Sequence, residues 1–261
     1  MSDILERKVA LITGASSGIG RAFSEEYARR GIDTVIVARR EPPLRKLAEK
    51  LQAEHAVEVT VLPGDLADPE TPDQLYQTLA EQGKLVTHLV NNAGFGVPGL
   101  FCDVDWSRHR ACLEVMSAAP VRLCHLFAPA MRNQKCGTII NVSSLSALLP
   151  PHAGGTLYYP VKSFLYQFSL AFRAEMRPDN VHVTALCPGF TETNFQKAAG
   201  GTVESVAVPK WLWSNPRDIA KKAIRAVDAN RAVCIPGFFN RSIATAFKLM
   251  PGSVGRWIVR G

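Results

Sequence analysis

Short apolar runs recur along the chain at 8–13 (KVALIT), 34–38 (TVIVA), 57–62, 89–91, 138–142, 182–186 and 233–235. Most are rich in β-branched residues. Between them, stretches with helical spacing fall at 18–30, around 44–51, and at 71–82, 105–133, 157–177 and 216–229. Runs that stay apolar instead of alternating are strands buried on both faces. Such strands alternating with helices predict an α/β fold, a doubly wound parallel β-sheet with helices on both faces and right-handed crossovers. No Pro/Gly/Ser-rich linker divides residues 1–261, so a single domain is expected. Pro120 and Pro129 lie inside the 105–133 stretch and predict a kink or a break there. Residues from about 190 to 215 differ from the rest. Gly200–Gly201 precedes the cluster Val206, Val208, Trp211, Leu212 and Trp213, a pattern that reads as a flap over a site.

Composition narrows the class. Of 261 residues, 47% are hydrophobic and 20% charged, which excludes global disorder. No run approaches the ~18 consecutive apolar residues of a membrane span. The charged start lacks the apolar core of a signal peptide, so a cytoplasmic location is expected. Six cysteines show no CxxC and no Cys/His zinc spacing. They read as structural thiols in a reducing compartment, and no metal site is expected.

The net charge of +7 is uneven: residues from Ser205 onward carry +8. A solvated basic face explains this most simply. Nucleic acid is not expected, because no recognised binding motif accompanies the charge. The tail, from about 236 to 261, sets Ile243, Phe247 and Met250 at helical spacing beside Arg241, Lys248, Arg256, Trp257 and Arg260. It reads as a helix covering the sheet or an oligomer contact, with peripheral membrane contact as the alternative.

Three sets of residues carry candidate chemistry. Thr13-Gly14-Ala15-Ser16-Ser17-Gly18-Ile19-Gly20 follows the first strand and opens a helix. Glycines there allow a tight turn and close approach of a pyrophosphate, whose charge suits a helix N-terminus. The spacing is GxxxGxG, not GxGxxG, so the rule transfers by mechanism only. The second strand ends in Ala38-Arg39-Arg40 where an acid would bind the 2′-hydroxyl of NAD. A guanidinium fork suits a phosphate, which favours NADP(H). Tyr158-Tyr159-Pro160-Val161-Lys162 places a lysine one helical turn from a tyrosine. A nearby ammonium favours phenolate, and such a tyrosine can work as acid or base. Helix arithmetic leaves Tyr158 and Tyr159 both open.

Together with Asn91-Asn92-Ala93-Gly94 and Asn141-Val142-Ser143-Ser144, these motifs occur in the order seen in short-chain dehydrogenases/reductases. The chain resembles that family from about residue 8 to 235. The resemblance implies a Rossmann-type dinucleotide-binding domain and a hydride-transfer enzyme, with Tyr158 as general acid, Lys162 lowering its pKa and holding the nicotinamide ribose, and Ser144 steadying the substrate oxygen. It places the cofactor along Gly14, Ser16, Ser17, Gly18, Ile19 and Gly20, with Arg39 and Arg40 at the phosphate. Asp65 and Leu66 would lie by the adenine, Asn92, Ala93 and Gly94 on the ribose side, and Pro188, Gly189, Thr191 and Thr193 by the nicotinamide.

Three departures from the pattern stand out. The family's relay asparagine falls at Met116, and a thioether cannot replace a carboxamide donor. Ser144 to Tyr158 is one residue longer than usual, an insertion within 150–157, which keeps Ser143 and Ser146 as alternatives for the serine. Tyr159 and Pro160 directly follow Tyr158. The pocket residues expected from topology are mostly apolar, including Phe95, Val97, Leu145, Leu148, Leu149, Leu157, Phe190, Phe195, Trp211 and Trp213, with His152 as a polar exception. Such a pocket fits an apolar ketone or aldehyde. The reading is an NADPH-dependent carbonyl reductase, a homodimer or homotetramer built on the helices at 105–133 and 157–177. The alternative, motivated by Met116, is a nucleotide-binding sensor or scaffold with little turnover.

Overall fold

The computed structural model describes residues 8–150, 155–191 and 213–249. Seven strands form one parallel sheet: β1 (Val9–Thr13), β2 (Asp33–Ala38), β3 (Val59–Pro63), β4 (Val86–Asn91), β5 (Gly137–Val142), β6 (Val181–Leu186) and β7 (Val233–Cys234). Their order is β3-β2-β1-β4-β5-β6-β7. The chain starts in the middle, winds outward to β3, then returns past β1 to build the other half. The switch between β1 and β4 opens a crevice at the strands' carboxyl ends, where ligands bind in sheets of this kind.

The helices are α1 (Gly18–Arg29), α2 (Glu41–Glu54), α3 (Thr71–Glu81), α4 (Trp106–Leu113), α5 (Ala119–Asn133), α6 (Tyr158–Met176), α7 (Pro216–Asp228) and α8 (Phe238–Leu249). Helices α1, α2 and α7 cover one face through Phe23, Tyr27, Leu44, Ile219 and Val227. Helices α3, α5 and α6 cover the other through Leu79, Leu123, Phe127, Val161 and Met176. Each such side chain, fully buried, contributes roughly 1.5–3 kcal/mol of transfer free energy. Alternate residues of β1 serve opposite faces: Ala10 and Ile12 join the first cluster, Val9 and Leu11 the second.

The expected break in the 105–133 stretch takes a milder form. Helices α4 and α5 are joined by a π-turn, Glu114–Ala118, in which the amide of Ala119 donates to the Glu114 carbonyl. Pro120 stands in the first turn of α5, where a missing N–H is tolerated. Pro129 stays inside α5 on its exposed side, with His125 four residues back also exposed. By length and composition the joined helix Trp106–Asn133 could cross a membrane, but half of its apolar window is buried, against the sheet.

Candidate functional site

Every motif singled out in the sequence sits at a strand's carboxyl end or on the segment that follows. After β1, Gly14 and Gly18 have φ of +68° and +56°, conformations that side chains resist. A Cβ at Gly20 would lie 2.3 Å from the Gly14 carbonyl oxygen, and one at Gly14 would lie 2.7 Å from Asn92 Nδ2. The loop is therefore held flat against the neighbouring segment. Ser17 caps α1 in extended geometry without a side-chain cap bond, so the first-turn amides are not satisfied by that residue.

Thr13, which opens the Gly-rich motif, ties this loop to the next. Its hydroxyl accepts from the amides of Asn92 (2.9 Å) and Ala93 (3.0 Å). Asn92 Nδ2 donates back to the Thr13 carbonyl at 2.9 Å. A polar residue closing an otherwise apolar strand was the available signal.

At the end of β2, Arg39 and Arg40 are exposed. The nearby Glu41 is engaged by Arg45 at 2.6 Å. Among the described residues neither Arg39 nor Arg40 makes an ion pair, and the strand they follow abuts the Gly-rich loop, the Ala15 amide donating to the Val37 carbonyl at 3.1 Å. After β3, Asp65 is exposed and accepts from the Ala67 amide at 3.1 Å. Leu66 turns into the core, 5% exposed, which leaves only its backbone for a ligand.

Beyond β5 the candidate serines separate. Ser143 is buried and donates to the Lys162 carbonyl at 2.7 Å, so its hydroxyl proton is committed to holding α6. Ser144 is half-buried, accepts from the Ser146 amide at 3.1 Å and forms a side-chain hydrogen bond with Tyr158. The Ser146 hydroxyl is buried without a partner among the described residues. Tyr159 packs edge-on against Tyr158, ring centroids 6.4 Å apart.

Lys162 is 4% exposed, and its ammonium donates to the Val142 carbonyl at 2.8 Å. It lies 5.9 Å from the centroid of the Tyr158 ring. Burial drives its pKa down to about 8, with Cys112 and Cys187 acting weakly the other way. Burial pushes the Tyr158 phenol above its usual value, and the Ser144 hydrogen bond opposes that rise. In the chain itself, burial thus outweighs the lowering expected from a neighbouring ammonium.

A buried amide chain braces these elements. Asn91 Nδ2 donates to Asn141 Oδ1 at 2.8 Å, and Asn141 Nδ2 to Ser169 Oγ at 3.0 Å. Asn91 also donates to the Pro120 carbonyl at 3.3 Å. The sequence signal was an asparagine inside each of two apolar strands, where that residue is depleted.

After β6, Pro188 is buried. A Cβ at Gly189 would lie 2.6 Å from Asn240 Nδ2, so α8 seats directly on this turn. Thr191 donates to the Gly189 carbonyl at 2.9 Å and pairs with Ser214. Phe190 packs near Trp213 at 5.9 Å. The expected roles of Thr193, His152, Phe195 and Trp211, most of the 190–215 flap and the tail beyond Leu249 lie outside the described residues. All six cysteines are free.

A family model described as short chain dehydrogenase matches residues 8–203. Among curated proteins, an 11-beta-hydroxysteroid dehydrogenase A from Sesamum indicum is 31% identical over 274 aligned positions, covering 99% of this chain and 76% of that protein. Sulfoacetaldehyde reductase 2 from Chromohalobacter salexigens is 33% identical, covering 75% of each. Among solved structures, a short-chain dehydrogenase from Sphingobium yanoikuyae in complex with NADPH superposes with a TM-score of 0.81 at 28% identity, covering 94% of this chain and 96% of that one.

Proposed function

The chain belongs to the short-chain dehydrogenase family, oxidoreductases acting on hydroxyl and carbonyl groups, and on that premise we propose that it is an NADPH-dependent reductase of apolar ketones or aldehydes. The observation that carries this reading is the buried ammonium of Lys162, 5.9 Å from the centroid of the Tyr158 ring, with Ser144 beside the phenol. The family uses nicotinamide dinucleotides, and the residues here fit one: a glycine cradle that a Cβ would fill, then two arginines without an ion partner among the described residues. A bound nicotinamide dinucleotide supplies the hydride.

The chain's own residues do the rest. Gly14, Ser16, Ser17, Gly18, Ile19 and Gly20 receive the pyrophosphate at the start of α1. Arg39 and Arg40 receive the 2′-phosphate of NADP(H). The NADPH in the Sphingobium structure supports that preference. Asp65 and the Leu66 backbone border the adenine, Asn92, Ala93 and Gly94 the ribose, and Pro188, Gly189, Thr191 and Thr193 the nicotinamide. Lys162 holds the nicotinamide ribose through its ammonium. Tyr158 gives its proton to the substrate oxygen as the carbonyl becomes an alcohol. Ser144 hydrogen-bonds the same oxygen as charge develops on it.

The apolar substrate class is supported by Phe95, Val97, Leu157 and Tyr158, each partly buried against the same hydrophobic cluster. A hydroxysteroid dehydrogenase among the relatives points the same way. The test is NADPH consumption across aliphatic, aromatic and steroidal ketones, sugars and anionic aldehydes. Turnover is expected on the apolar carbonyls. Turnover confined to sugars or anionic aldehydes overturns the substrate class. Tight NADPH binding with no turnover on any carbonyl favours the sensor or scaffold reading.

We place the enzyme in the cytoplasm, with its free thiols in reducing surroundings. A homo-oligomer is supported by an apolar groove of about 610 Å³ along α4–α6, lined by Leu113, Ser117, Val121 and Phe164 among others. Phe164 is 48% exposed and starts a stacked row with Phe168 and Phe172. Light scattering is expected to give two or four times the 28.5 kDa chain mass; a monomer at micromolar concentration contradicts this.

A further inference from the structure

Three sulfur-bearing side chains, Met116, Cys112 and Cys187, lie near Lys162. Met116, in the π-turn, is fully buried. A point one Cβ length from Gly94 lies 3.0 Å from Met116 Sδ and 3.6 Å from Lys162 Nζ, so thioether and ammonium flank the same spot. Cys112, one turn before Met116, and Cys187, just after β6, both lie close enough to act electrostatically with the lysine. No carboxylate acts on it among the described residues. Among the described residues its ammonium donates to one acceptor, the Val142 carbonyl.

The π-turn puts the methionine there. The extra residue in the turn shifts the phase of the helix, and Pro120 has no N–H to offer the carbonyl of Met116, four residues back. A thioether accepts hydrogen bonds only weakly and donates none. Such a side chain offers a neighbouring ammonium little solvation.

We propose that Met116 is a positioning residue: it walls the lysine pocket against water, and the side chain at this position sets the upper pH limit of nucleotide binding. The inference rests on the reading of Lys162 as a group that holds the nucleotide. A buried lysine with one acceptor and no counter-charge among the described residues gives up its proton early, and its value of about 8 follows from burial. The groups facing it cannot produce that limit themselves. Burial holds the Cys187 thiol up at about 12 and raises that of Cys112. The Tyr158 phenol, one turn earlier on α6, is also raised. Burial thus moves the thiols and the phenol up and the lysine down, so Lys162 is the first of this group to change charge as pH rises.

The test is the dissociation constant of NADPH, read by fluorescence titration from neutral pH to about 10, with no substrate present. Wild-type affinity is expected to fall as pH rises through about 8. In Met116→Asn, a carboxamide solvates the ammonium, and the fall is expected to move up by roughly one pH unit. Met116→Leu, apolar and of similar volume, is expected to keep the wild-type fall. If Met116→Asn does not fold, Met116→Gln makes the same comparison. A fall at the same pH in the polar variant overturns the proposal, as does an equal upward shift in Met116→Leu. A wild type that binds no NADPH at any pH removes the nucleotide reading and the inference with it. Normal neutral-pH binding with an unmoved fall removes the inference alone.

Discussion

Tyr158→Phe is expected to lower turnover by about three orders of magnitude or more while leaving NADPH affinity within a few-fold of wild type. General acid catalysis by a positioned group contributes roughly 10²–10⁴-fold, and the variant also deprives Ser144 of its partner. Removing one hydroxyl leaves the packing intact, since the ring still lies beside Tyr159 and against the core cluster. Tyr159→Phe is the matched control. Tyr159 sits one residue along α6, about 100° around the helix, and its variant is expected to keep most activity. Steady-state kinetics on the best carbonyl, with separate NADPH titration, checks both. If Tyr159→Phe is the inactive variant, the assignment of the acid is wrong.

Arg39→Asp is expected to weaken NADPH by about a hundredfold and NADH by far less. A hydrogen bond to a charged group contributes roughly 1.5–3 kcal/mol, and a carboxylate in its place adds repulsion. About 2.7 kcal/mol corresponds to a hundredfold. The magnitude is credible because Arg39 has no ion partner among the described residues to lose and Arg40 remains beside it. High salt should shrink the difference, since both arginines are exposed. Equal loss for both cofactors, or none, removes Arg39 from the phosphate site. The comparison is made by titrating each cofactor into wild type and variant at low and high ionic strength.

The sheet was legible because its strands are apolar throughout, and that same feature blurred its edges. Strand β4 begins at Val86, three residues before the apolar run, because Thr87 and His88 belong to it. Thr87 accepts from the Val9 amide at 3.2 Å across the sheet, and the imidazole of His88 stacks edge-on against Tyr27 at 5.3 Å. Burial takes the His88 pKa down to about 4, so the ring packs as a neutral group. The π-turn had no signature beyond Pro120, since one extra residue in a helix leaves the apolar spacing almost unchanged. The short 3₁₀ segment Leu145–Leu148 after Ser144 was equally silent. At the candidate site the residue types were legible because topology gathers every strand's carboxyl end on one side. That Ser143 commits its hydroxyl to the Lys162 carbonyl was not legible, because only contacts show it. The tie made by Thr13 and the sulfur neighbours of Lys162 stayed hidden for the same reason: the residues that meet there are distant in sequence.

Tyr158, Ser144 and Lys162 are proposed to serve hydride transfer from NADPH to a carbonyl. The most direct measurement is mass spectrometry of the alcohol formed from the preferred ketone with NADPH deuterated at the transferring carbon of the nicotinamide. One deuterium on the former carbonyl carbon, formed by wild type and not by Tyr158→Phe, is the predicted result. Alcohol without deuterium, or the same labelled yield from Tyr158→Phe, would contradict it.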